Sequence, residues 1–372
     1  MTLYISTILL LFIFSIIDVN YTLAFNTRRW MSIIVYLLLV IQVGLRWETG
    51  TDWSTYLRHF ESINNATPNS LLHTEVEYGY NLFVWLATLI FSDYSYFLLI
   101  HAIIYYYLIF KSFQRYSPYL YLSLMLFYTL SMGVMGSNRQ LIALAICIYA
   151  LRYVIEKKTI YFFLFIFLAA SFHLSSFLFI TYYFINFKIK PSMLISFLGI
   201  SIIIYIIGNT QISTQAFSYL GHFMGDLVSA KTSFYLDNAK DTFSGGKPTI
   251  IGLIKRLILF SIFSYNRKTL SEKLPYYNIM FNGYTLGILI YFIFANSLLV
   301  MISRGSLFFN IMEPLLISSQ ILIFKRKENK VAIIFILLVF SFFFFFQSIS
   351  PYPDLFLPYK GIFINSDFHR IM

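Results

Sequence analysis

Lys325-Arg326-Lys327-Glu328-Asn329-Lys330 runs directly into VAIIFILLVFSFFFFFQSI at 331–349. The apolar part carries no charged side chain. At about 1.5 Å of rise per residue it is long enough, as a helix, to cross a hydrocarbon layer about 30 Å thick. The cations gather at one edge only, which is how a cytoplasmic loop marks the end of a span. The phenylalanine run at 342–346 needs no reading beyond a lipid-facing helix.

Working outward, the rest of the chain repeats this pattern. Of 372 residues, 59% are hydrophobic and 12% charged, against about 25% charged in soluble domains. The mean hydropathy is +0.73. Water cannot solvate that much apolar surface on one globule, whereas lipid accepts apolar side chains on every helix face. The net charge of +11 would suggest nucleic acid in a soluble domain. Here the cations fall in loops between apolar runs, so no nucleic-acid partner is expected. The single cysteine, Cys147, excludes an internal disulfide and a cysteine metal cluster. The first apolar run, Leu3 to Ile17, lacks a basic leader and a small-residue cleavage site, and reads as the first span.

Candidate helices are 3–22, 30–45, 78–92, 94–110, 119–135, 139–155, 159–187, 191–208, 250–265, 276–298, 305–324 and 330–349. The fold class is therefore all-α: a polytopic transmembrane helical bundle of roughly 11–13 membrane segments, re-entrant elements included, forming a single integral membrane domain over 1–372. Arg28-Arg29, Lys111/Arg115, Lys157-Lys158, Lys188/Lys190, Arg267-Lys268 and Lys325-Arg326-Lys327 read as cytoplasmic. The opposite side then holds 46–77, 135–139, a turn near His173, 209–249, the segment near Arg304 and the C-terminal tail. Two full spans between Arg46 and Lys111 would break this alternation, so 78–92 is expected to be re-entrant or interfacial. The long 159–187 stretch is expected to kink around Ser171-Phe172-His173. Loops 46–77 and 209–249 are too long and too aromatic for plain linkers.

Ionisable groups within membrane segments are costly and usually face a cavity or a partner. Arg46 and Asp52 flank a glycine-bearing turn where a span ends; the bland reading is a snorkelling arginine paired with an acid. Arg139 opens the 139–155 helix behind Asn138, where backbone N–H groups already favour an anion; the bland reading is an interfacial anchor. His173 is a lone histidine in an apolar stretch, a candidate base or neutral donor against the commoner satisfied core residue. Lys255-Arg256 lie about 100° apart on one helix, so at least one should face the bundle and meet an anion; two adjacent cations suit a diphosphate. Arg304 begins a later span, and Glu313-Pro314 follows, with the proline kinking the helix and Glu313 expected to pair with an arginine. There is no GxxxxGK[ST], no HExxH, no glycine-rich dinucleotide turn and no metal-ligand spacing among the acids.

These residues resemble the EpsG-like branch of the Wzy polymerases, which build O-antigen and related exopolysaccharides. The likeness is carried by Gly44-Leu45-Arg46, Gly50-Thr51-Asp52-Trp53, Tyr56 and Phe60, then by Glu77-Tyr78-Gly79-Tyr80. Arg139-Gln140-Leu141-Ile142-Ala143 with Glu156-Lys157-Lys158, and Ser171-Phe172-His173-Leu174-Ser175-Ser176, continue it in order. Arg304, Phe308-Phe309 and Pro314 extend it loosely; 209–249 matches nothing.

The resemblance implies a membrane glycosyltransferase that moves a glycan from undecaprenyl diphosphate to the non-reducing end of another lipid-linked repeat unit. It implies the outer face of a bacterial inner membrane, no cofactor and no metal. A flippase and a chain-length regulator are its implied partners. On this reading Asp52 or His173 is the base, Arg46 positions substrate or phosphate, and Arg139, Lys255, Arg256 and Arg304 hold diphosphate. The alternatives are a flippase or exporter of lipid-linked oligosaccharide, a polyprenyl-phosphate-sugar transferase adding one sugar, and a membrane O-acyltransferase.

Overall fold

Long apolar runs bounded by cations, prolines and short polar turns become helices because only a helix satisfies its own backbone hydrogen bonds in lipid. The computed structural model describes residues 1–64, 66–67, 71, 76–207, 215, 218–219, 250–294 and 301–368. Among these, secondary structure is helical, with isolated bridges only, at Arg46 to Gly361 and Gly361 to Ile364. Among the described residues six helices are long and apolar enough to cross a membrane: Thr2–Asn20, Phe25–Gly44, Tyr94–Tyr116, Asn138–Ile155, Tyr277–Phe294 and Lys327–Ile349. Shorter apolar helices accompany them, as expected of a polytopic helical bundle.

The described chain forms two compact units, Met1–Ile180 with Ile321–Met372, and Thr181–Gln320. The first contains α1 (Thr2–Asn20), α2 (Phe25–Gly44), α3 (Trp53–Asn64), α4 (Tyr78–Thr88), α5 (Tyr94–Tyr116), α6 (Leu120–Leu130), α7 (Asn138–Ile155) and α8 (Thr159–Phe172). The Lys327–Ile349 helix completes it, packing on α1 and α6. α2 packs on α5, α5 on α7, and α7 on α8.

The two ends of this unit differ in chemistry. At one end Arg28 pairs with Asp18 at 2.7 Å, and Asp18 also accepts the Leu120 N–H that opens α6. Lys327 lies over the Tyr21 ring, Lys330 donates to the Tyr119 hydroxyl, and Arg115 and Lys158 share Glu156. The opposite end gathers the C-termini of α2, α8 and Lys327–Ile349 with the N-termini of α5 and α7.

α4 is 11 residues long and rises about 16 Å, half a bilayer core. It packs on α3, α5 and α8. The 159–187 stretch breaks at His173, whose backbone is extended, before a 3-10 segment at Leu174–Ile180 that packs back on α7 and α8. Within the long 46–77 loop, α3 is amphipathic and buries Trp53, Tyr56, Phe60 and Ile63. Residues 209–249, the second expected loop, lie outside the described residues apart from 215, 218 and 219.

In the second unit Pro191–Ile207 packs on Tyr277–Phe294, which also carries Leu307–Asn310 and Met312–Ser319. The span expected at 305–324 is broken: a π-helical turn at Met301–Gly305 precedes these two short helices. Pro314, with no N–H to donate, stands in the first turn of the second, where that loss costs least.

Candidate active site

Two interlocked turns build the site in the first unit. The turn after α2 runs from Leu45 to Asp52, and the turn before α7 contains Met135 and Gly136. Gly50 (φ +99°) and Gly136 (φ +117°) both adopt the left-handed region that other residues avoid. A Cβ on Gly50 would strike the Met135 carbonyl, and one on Gly136 the Thr51 carbonyl. The Thr51 N–H donates to the Met135 carbonyl at 3.0 Å across this contact. The close approach ties Asp52, one residue on from Thr51, to the turn just before α7.

Arg46 lies inside this frame and is 1% exposed. It donates to the Val43 carbonyl at 2.6 Å and to Asn138 Oδ1 at 2.7 Å. Asn138 in turn donates to the Tyr94 hydroxyl, and its carbonyl is bonded by His101 Nε2. Its guanidinium joins the end of α2 to the start of α7.

Arg139, next to Asn138, points the other way. It donates to Glu77 Oε2 at 2.6 Å and to the Tyr56 hydroxyl at 3.3 Å. The Arg139 side chain is 23% exposed and that of Glu77 7%. A cation in the first turn of a helix opposes the helix dipole, and the carboxylate offsets it. Glu77 precedes α4, and its other oxygen accepts the Leu174 N–H at 3.5 Å, immediately after His173. Phe83 on α4 packs on Phe172, bringing the His173 turn to the same end of the unit.

His173 is half-buried. Its Nδ1 accepts the Ser175 N–H at 3.3 Å and lies 2.7 Å from the Ser175 hydroxyl. A backbone N–H can only donate, so Nδ1 is the acceptor and the neutral ring carries its proton on Nε2. Asp52 is exposed, adopts φ +57°, and has no side-chain hydrogen bond or ion pair among the described residues. Its charge reaches the Tyr56 phenol, whose pKa is raised mainly by burial, against the pull of Arg139. Burial, with Arg139 adding to it, likewise holds His59 on α3 below the usual imidazole range.

Of the expected residues, Asp52, Arg139 and His173 come to one end of the first unit, and Arg46 lies behind them. Lys255, Arg256 and Arg304 belong to the second unit. There Lys255 pairs with Glu313 at 2.7 Å, with side-chain exposures of 14% and 5%. Glu313 therefore meets a lysine where an arginine was expected: Arg256, 100° around the helix, instead lies over the Tyr291 ring at 3.9 Å and donates to the Gly252 carbonyl. Arg304 sits half-buried on the π-helical turn. Glu77 and Tyr56 were visible in the sequence as motif residues; their part in holding Arg139 was not, because it depends on α3 and α4 folding together.

The paired cation, exposed carboxylate and imidazole thus gather at one end of the helical bundle of a multi-pass membrane protein. The chain belongs to the EpsG family, which matches residues 29–361 and so covers each of these side chains. No curated protein and no solved structure matches it.

Proposed function

We propose that the protein is a polysaccharide polymerase transferring a glycan from undecaprenyl diphosphate to the non-reducing end of another lipid-linked repeat unit. The observation carrying this reading is the juxtaposition of Arg139 with the exposed Asp52 carboxylate around Tyr56, within a chain of the EpsG family. An acceptor hydroxyl attacks the anomeric carbon of the donor, and the bond from that carbon to the phosphate oxygen breaks. The diphosphate leaves as an anion, and the hydroxyl proton passes to a base. Asp52 suits the base, being exposed and unengaged, and such a base contributes about 10²–10⁴-fold. His173, with its proton on Nε2, suits a neutral donor to substrate. Arg139 is placed to stabilise charge developing on the leaving diphosphate. Arg256 and Arg304 are the second unit's diphosphate candidates, and Lys255 joins them only by leaving Glu313. The reading places the site on the outer face of a bacterial inner membrane, with a flippase supplying repeat units and a chain-length regulator acting on the product.

The test is surface glycan length in cells lacking the protein, complemented with wild type, Arg139→Ala or Asp52→Ala. Loss of the long ladder, with single repeats still reaching the surface, is the expected result for both variants. Loss of all surface glycan, with lipid-linked repeats trapped inside, would replace this reading with a flippase or an earlier transferase.

A further inference from the structure

The C-terminal segment after Lys327–Ile349 lies along the turn that presents Asp52. The Trp47 N–H donates to the Lys360 carbonyl at 3.0 Å, Ile362 N–H to Leu45, and Gly50 N–H to Leu355. Thr49 Oγ1 donates to the Lys360 carbonyl and stands 3.2 Å from the Lys360 N–H. The Tyr359 hydroxyl donates to the Gln42 carbonyl at the end of α2. Lys360 is 2% exposed, and its ammonium pairs with Glu48 at 2.8 Å.

The turn needs such support. Glu48 (φ +44°), Gly50 (φ +99°) and Asp52 (φ +57°) all occupy the left-handed region within five residues. Two of the three are not glycine, and each such residue costs of order 1–3 kcal/mol unless its surroundings hold it. On one side the turn is fastened to Met135 and Gly136; the C-terminal segment fastens the other. Removing either member of a buried pair leaves an uncompensated charge, so Lys360 and Glu48 hold each other and the turn in place.

We infer that residues 355–362 form a strap, pinned by the Lys360–Glu48 pair, that positions Asp52 for proton removal; this rests on the polymerase reading above. Lys360 does not touch the reacting atoms and acts through Asp52, as a positioning residue.

The test uses the full-length protein in membranes of defined lipid, supplied with lipid-linked repeat units extracted from cells lacking it. In Lys360→Met, amide exchange at Trp47 and Gly50 should rise. Its kcat should fall on the order of 10²-fold, as misplacement of about 1 Å can do, with KM little changed. Lys360→Arg should recover most of the rate. In an Asp52→Asn background, Lys360→Met should cost no further kcat, because two residues acting through one step do not add. Unchanged amide exchange, a wild-type kcat in Lys360→Met, or an equal loss in the Asp52→Asn background would each overturn the strap. A fully active Asp52→Asn would remove both the base assignment and the strap's purpose. The exchange arm needs no turnover: a wild-type protein that makes no polymer sinks the polymerase reading, while exchange still judges the strap.

Discussion

Arg139 stands in the first turn of α7, where a cation is disfavoured unless an acid meets it, and Glu77 does so from the step before α4. Breaking a buried pair from one side costs about 3–5 kcal/mol, chiefly for the charge left behind. Arg139→Ala should therefore lower the thermal midpoint and abolish polymer. Arg139→Ala with Glu77→Gln should recover much of the stability and none of the polymer. A midpoint that does not rise in the double variant would sink the account of Glu77 as counter-ion. At this scale the sequence is a partial guide. An arginine after Asn138 announces an anion, but which anion is invisible until α4 folds against α8. Arg46 shows the limit: residue type and position suggested a substrate contact, yet its partners are a carbonyl three residues back and an asparagine 92 residues on. Enclosure of that kind is a property of packing.

The elements were more legible. Apolar runs edged by Lys and Arg marked the six long helices because membrane thickness fixes their length and the backbone must satisfy itself. Short elements were harder. α4 shows apolar character without the reach to span, and its packing on α3, α5 and α8 depends on residues far from it in sequence. The expected 305–324 span instead breaks into short pieces around a π-helical turn and Pro314, since a helix loses a backbone donor at proline. A non-spanning α4 makes a prediction. Its flanks should lie on one side of the membrane, so cysteines replacing the exposed Glu61 and Ser92 should both react with a membrane-impermeant thiol reagent in intact cells. Cys147, being buried, gives no background. Labelling of one site alone would mean that α4 crosses after all.

Over the whole molecule, charge and topology point the same way. Arg28, Arg115, Lys158, Lys327 and Lys330 mark one end of the first unit, and Asp52, Arg139, His173 and Lys360 the other. By the positive-inside rule the first set is expected in the cytoplasm. A phosphatase reporter that works only outside the cytoplasm should be inactive when fused after Phe324 and active when fused after Phe368. The reverse pattern would turn the site towards the cytoplasm and exclude polymerisation at the outer face. The second unit was the least legible, because its cations do not cluster as their adjacency suggested: Lys255 is taken by Glu313 while Arg256 stacks on Tyr291. Adjacent residues on a helix face different neighbours, so sequence adjacency alone could not make them one binding surface.

The strap has a consequence for biogenesis. Trp47 and Gly50 wait for partners that the ribosome makes some three hundred residues later, at Lys360 and Leu355. Earlier helices can enter the bilayer as they emerge, and the turn carrying Asp52 can meet Met135 and Gly136 early, but it lacks its second fastening until residues 355–362 have been made. A polypeptide truncated or stalled before Leu355 therefore holds the Asp52 turn from one side only.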